Sequence, residues 1–104
     1  MTIQFNTDNN IKGSERLNEY FTGTLSESLK RYENQITRLE VHLTDENSNK
    51  EGQNDKRCML EARLEGMQPI AVTNNADDIE QAVKGAVSKL KTSLDTVIGK
   101  LRNY

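Results

Sequence analysis

The chain has 104 residues, with 14 Lys and Arg against 16 Asp and Glu for a formal net charge of −2. That length suits one domain, spanning 1–104, with one modest core. The acidic balance counts against a generic nucleic-acid binder, which is normally basic overall, so any phosphate contact must come from local segregation of charge.

The opening MTIQFNTDNN lacks the basic and apolar regions of a signal peptide, and the single cysteine, Cys58, has no partner for an intramolecular disulfide. A cytoplasmic location is expected. No apolar run approaches the ~18 residues of a membrane span, so no membrane partner is expected either.

In chain order, positions 2–5 read as a short strand with Ile3 and Phe5 on one face, followed by a polar loop over 6–13. Ser14 has the chemistry of an N-cap, and Leu17, Phe21, Leu25, Leu29 and Tyr32 then recur along one helical face, bordered by Tyr20. Gly23 inside this helix costs up to ~1 kcal/mol relative to Ala. A neighbouring backbone is therefore expected to pass close to it. Next, Leu39, Val41 and Leu43 alternate with Glu40, His42 and Thr44, a strand with one dry and one wet face. The stretch 45–55, DENSNKEGQND, is a polar loop.

Alternation resumes over 56–65. Cys58, Leu60, Ala62 and Leu64 point one way, and Arg57, Met59, Glu61, Arg63 and Glu65 the other. Positions 66–69 turn the chain and 70–73 form a last strand, with Pro69 at its start or on its free edge. A final helix is predicted from about Ala76, with Asp77 and Asp78 near its positive end. Its stripe is Ile79, Val83, Ala86, Val87, Leu90 and Leu94, continued by Val97, Ile98 and Leu101, and Lys84, Lys89 and Lys91 stay off it. The order strand, helix, three strands, helix predicts an α+β fold, a two-layer βαβββα sandwich with both helices on one face of a four-stranded sheet. The other face, carrying Arg38, Glu40, His42, Arg57, Met59, Glu61, Arg63 and Glu65, reads as a solvated surface of cross-strand ion pairs.

Catalytic chemistry finds little footing. Alternation sends His42, the only histidine, and Cys58 to opposite sides of the sheet, which argues against a Cys–His pair. One His and one Cys make a zinc site a poor reading, and Gly-rich phosphate loops are missing. The expectation is a protein that is not an enzyme, with no cofactor, no metal and no small-molecule substrate.

Two segments carry a family resemblance. In TDNNIKGSERL, Asn9, Asn10, Ile11, Ser14 and Leu17 keep step with the strand-exit segment of the hibernation-promoting factor and ribosome-associated inhibitor family (the ribosomal subunit interface or sigma-54 modulation proteins), and DIEQAVKGAVSKL is similar to that family's final helix. The resemblance covers essentially the whole chain. It implies a fold similar to double-stranded-RNA-binding domains. It also implies binding to ribosomal RNA of the small ribosomal subunit, in the mRNA and tRNA channel, and silencing of translation in stressed cells.

Such binding needs Lys and Arg spaced to meet phosphates. The candidates are Lys84, Lys89, Lys91, Lys100 and Arg102 on the final helix, and Arg16, Lys30 and Arg31 on the first. Lys89 matches a family basic position, whereas Thr92 stands where the family has Arg, and 96–98 where it has Lys-x-Lys. Lys84, Lys91 and Arg102 return to within about 20° of one helical line. Asp95 interrupts that line, and Lys89 with Lys100 forms a second. This short form is not expected to bridge two ribosomes. The alternative is a protein-interaction module of the same fold, pairing with another protein or forming a weak homo-oligomer through a free sheet edge.

Overall fold

A computed structural model describes residues 1–8, 11, 14–46 and 55–102, with the side chains at 14 and 100–102 outside that description. Its elements are β1 (Thr2–Thr7), α1 (Ser14–Ser28), β2 (Ile36–Asp45), β3 (Lys56–Leu64), β4 (Ile70–Ala76) and α2 (Ile79–Arg102), with a 3-10 turn at Lys30–Tyr32 between α1 and β2. The strands lie in the order β1-β2-β3-β4. β1 runs parallel to β2, and the other two pairings are antiparallel. A parallel pair needs a crossover, and α1 supplies it.

One phase of the strands is dry. Leu39, Val41, Leu43, Cys58, Leu60 and Ala62 are buried together with Phe21, Leu25 and Leu29 of α1 and Val83, Ala86, Leu90 and Leu94 of α2, in one continuous cluster. Each large side chain removed from water this way contributes roughly 1.5–3 kcal/mol before the entropy of ordering is counted. Both helices thus cover the same sheet face. The opposite phase, with Arg57 and Arg63 exposed and Glu40, His42 and Met59 half-buried, carries no helix among the described residues. No helix among the described residues is long and apolar enough to cross a membrane.

Four expectations are corrected. The last strand continues past Thr73, because its ladder with β3 runs to the pair Lys56 and Ala76. Consequently α2 starts at Ile79 rather than near Ala76. Asp78 is its cap: Oδ1 accepts the Gln81 N–H at 2.8 Å while the Asp78 carbonyl accepts the Ala82 N–H at 3.0 Å. The first helix stops at Ser28, and the tighter 3-10 turn, with the Tyr32 N–H on the Leu29 carbonyl at 2.9 Å, still buries Leu29 and Tyr32. Gly23 has no neighbour within 4 Å of where a β-carbon would stand. The close approach is at Gly85 instead, where a β-carbon would overlap the carboxamide of Asn74.

Of the expected loop, 47–54 lie outside the described residues. Its ends meet: the Glu46 N–H donates to the Asp55 carbonyl at 2.8 Å, and Lys56 Nζ lies 2.9 Å from Asp55 and 3.4 Å from Asp45. The hydrogen bond to Asp55, against the opposing effect of burial and with Asp45 adding to it, holds the Lys56 ammonium pKa above its ordinary value. Asn9 and Asn10, quoted for the resemblance, also lie outside the described residues. Ile11 and Leu17 are partly buried against the core.

Candidate nucleic-acid interface

The two helices lie side by side and run in the same direction. Midway along α1 the Tyr20 hydroxyl donates to Glu80 Oε1 in the first turn of α2 at 3.1 Å, and beyond α1 the Tyr32 hydroxyl donates to Asp95 Oδ1 at 2.6 Å. Burial, reinforced by that hydrogen bond and the Asp95 charge, pushes the Tyr32 phenol pKa up. Between the helices lies a groove of about 230 Å3, floored by Phe21, Val83 and Val87 and rimmed by Tyr20, Thr24 and Ser28 on one side and Lys84, Ser88 and Lys91 on the other. Helical spacing explains the rim. Tyr20, Thr24 and Ser28 are four apart and Lys84 and Lys91 seven apart, so each set keeps one flank of its apolar stripe.

The candidate basic residues therefore divide. Lys84 and Lys91 stand on the groove. Lys84 Nζ is 3.5 Å from Glu80 Oε1, a pair whose side chains are 68% and 51% exposed. An ion pair that open to water holds the ammonium only weakly. Arg31 reaches the same seam, 3.1 Å from Asp95 and over the Tyr32 ring at 5.1 Å. Arg16 is exposed one turn before Tyr20, on the same flank of α1, and Lys30 is exposed as the first residue of the 3-10 turn rather than on α1. The side chains of Lys100 and Arg102 lie outside the described residues.

Lys89 goes elsewhere. Five residues after Lys84 it is rotated about 140° around the helix, and its Nζ donates to the Thr73 carbonyl on edge strand β4 at 2.8 Å. Gly85, one turn earlier, faces the same strand. Because Gly85 has no side chain, the Asn74 Nδ2 reaches the backbone of α2, donating to the carbonyls of Ala82 at 3.2 Å and Gln81 at 3.4 Å. This flank is a seam between helix and sheet edge. Tyr20, Thr24 and Ser28 were not among the candidate binding residues, although their four-residue spacing in line with Arg16 is a signal the sequence contains.

The open sheet face is an ion-pair lattice, as its mixed charges suggest. Glu40 lies between Arg38 at 3.4 Å and Arg63 at 3.2 Å, and Arg63 also reaches Glu61 at 3.3 Å. Burial opposes the charged form of Glu40, but the Arg38 and Arg63 guanidiniums beside it hold its pKa below the ordinary value. Cys58 sits on the other side of the sheet, fully buried, and burial pushes its thiol up to about 12. His42 and Cys58 consequently face away from each other, although their strands are hydrogen-bonded neighbours.

The fold has solved counterparts. The N-terminal domain of Protein Y from Thermus thermophilus superposes with a TM-score of 0.72 at 20% identity, over 93% of this chain and 99% of that one. A ribosomal subunit interface protein from Coxiella burnetii superposes with a TM-score of 0.67 at 18% identity, over 95% of this chain and 99% of that one. No curated protein sequence matches the chain. The family model described as sigma 54 modulation protein / S30EA ribosomal protein matches residues 3–102. With nearly every residue inside that match and the same α+β fold in the structural counterparts, the chain belongs to the sigma 54 modulation / S30EA ribosomal protein family.

Proposed function

We propose that this domain is a non-catalytic stress or hibernation factor of the cytoplasm that binds the small ribosomal subunit in the mRNA and tRNA channel and so inhibits translation. Family membership supports a ribosomal partner. The observation that carries the reading to particular residues is the alignment of Lys84, Lys91 and Arg31 along the seam between α1 and α2. This local concentration of cations lets a chain of net charge −2 meet a phosphate backbone without being basic throughout. The resemblance alone singles out Lys89. The expectation shifts to Lys84 and Lys91, because they rim the groove, whereas Lys89, also exposed, is turned toward the Thr73 carbonyl on the other flank of α2.

The test is sedimentation with purified small subunits over a range of salt. The wild-type protein is expected to travel with the subunit at low salt, to leave it as salt rises, and to compete with mRNA or initiator tRNA. Replacing Lys84 and Lys91 together by Gln should flatten the plot of log affinity against log salt by about 1.4, the value for two contacts to single-stranded phosphate. Lys89→Gln should change it little. Failure of the wild-type protein to sediment with small subunits at low salt would remove this function.

One observation favours the protein-interaction reading in that event. The outer edge of β1, TIQFNT, has neither a charged side chain nor a proline, whereas the edge of β4 carries the Lys89 ammonium. An undefended edge is a template for pairing with another strand. Concentration-dependent growth in the sedimentation mass of the isolated protein would support that reading, and a strictly monomeric chain would count against self-pairing.

A further inference from the structure

Within the α1–α2 groove one feature has no role in a purely phosphate-directed surface. Tyr20 is a large aromatic side chain left 54% exposed at the rim. Its position is defined from two sides: the hydroxyl donates to Glu80 Oε1 at 3.1 Å, and the ring meets Phe21 edge-on, with centroids 5.0 Å apart at 70°. An exposed aromatic ring that is pinned rather than free to rotate has already lost most of the entropy that a stacked partner would otherwise have to remove. Lys84 and Lys91 stand on the facing helix, and the hydroxyls of Thr24 and Ser28 follow Tyr20 along its own. Among the described residues Glu80 is the one carboxylate lining this groove. Lys84 lies 3.5 Å from it, so two lysines face one carboxylate and the rim retains a net positive charge.

We propose that this groove seats an unpaired nucleotide of ribosomal RNA, its base stacked on Tyr20 and its phosphate directed to Lys84 and Lys91. The inference rests on the ribosome-binding reading and gives that reading a site for a base as well as for phosphates. At about 230 Å3 the groove is smaller than the ~300–1,000 Å3 pockets that enclose whole small-molecule ligands, a size suited to one planar base. A pinned aromatic ring beside lysines is the arrangement by which single strands are held without sequence preference, since every base offers a π-face. A paired base, its faces covered by its neighbours, has no surface to offer Tyr20.

The experiment compares wild type, Tyr20→Phe and Tyr20→Leu for binding to a fluorescein-labelled single-stranded oligoribonucleotide, to its duplex, and to small subunits. All three proteins are first matched in urea midpoint. Tyr20→Leu should lose roughly tenfold in affinity for the single strand, the size of one base–aromatic stack. It should lose little for the duplex and leave the salt slope unchanged, because no phosphate contact is removed. Tyr20→Phe, which keeps the ring but not the hydroxyl, should stay within about threefold of wild type.

Equal affinities of wild type and Tyr20→Leu for both the single strand and the subunit would overturn the inference while leaving the ribosome-binding reading intact. No binding of the wild type to the single strand would also overturn it. A Tyr20-dependent single-strand affinity in a protein that ignores small subunits would uphold the nucleotide site and remove the ribosomal role.

Discussion

The two flanks of α2 place the same residue type in opposite circumstances. On the flank toward α1, Lys84 and Lys91 rim a groove, and Lys84 makes a solvent-open pair with Glu80. On the flank toward β4, Lys89 lies on the Thr73 carbonyl, and Gly85 lets Asn74 come against the helix backbone. One flank is packed into the edge of the sheet, whereas the other lies beside a second helix whose facing side chains at that height are a tyrosine and short hydroxyls. The charge of a lysine therefore says little about its use. What its flank packs against decides whether the ammonium turns to the protein's own backbone or lines the groove between the helices.

The largest effect that would sharpen this contrast lies under the β4 flank. Cys58 stands opposite Asn74 in the β3–β4 ladder, and its pKa is raised to about 12 by burial. An acid whose folded pKa exceeds its unfolded value binds more protons when folded. Stability is therefore full below the unfolded value, near pH ~8.5, and falls as pH rises above it. The loss should reach about 1.4 kcal/mol per pH unit, or roughly 2 kcal/mol by about pH 10. Tyr32 and Lys56, whose pKa values are also raised, add losses of the same sign at about pH 10 and above. Urea unfolding between about pH 8.5 and 10 should show the decline in wild type and a much smaller one in Cys58→Ala, where Tyr32 and Lys56 remain. An equal decline in both would place the sensitivity elsewhere.

Next in size is Gly85→Ala. The new β-carbon must displace the Asn74 carboxamide, which then loses its bonds to the Ala82 and Gln81 carbonyls. A net loss of about 1–2 kcal/mol is expected, because overpacking outweighs the better helix propensity of Ala. Once Asn74 is replaced by Ala the obstacle is gone, so the same Gly85→Ala change should become stabilising. A double-mutant cycle from denaturant midpoints reads that change of sign, and an unchanged sign would mean that Asn74 is not the reason for glycine at 85.

The smallest effect is at Gly23, on the exposed side of α1, where nothing lies within 4 Å of a β-carbon. Gly23→Ala should raise stability by about 0.5–1 kcal/mol through helix propensity alone. A loss there would reveal a contact absent from this fold.

These three sites also separate what was legible in the sequence from what was not. Alternation placed Cys58 on the dry face beside Leu60 and Ala62, and it is fully buried there. Nothing comparable distinguished the two helical glycines. Glycine disfavours a helix equally at 23 and 85, and only a neighbour remote in sequence explains one of them, so the expectation of a close approach fell on the wrong one. The start of α2 was misplaced for a related reason. β4 extends to Ala76 because β3 offers it partners that far, and the length of a pairing belongs to two strands together.

By itself the sequence determined the order of the elements, the two apolar helical stripes, the dry phase of the sheet and the mixed-charge phase opposite. All of these follow from periods of 3.6 and 2, which are local properties of the chain. It also carried enough of the family's pattern to imply the fold. Tertiary structure alone decided which lysines rim the groove, that Arg31 and Tyr32 meet Asp95, that Asn74 lies against Gly85, and that Tyr20 stands pinned at the rim. Periodicity gives the azimuth of a side chain around its own helix, and the two flanks of an apolar stripe are equivalent in that respect. They become different only when the fold sets a second helix along one and a sheet edge along the other.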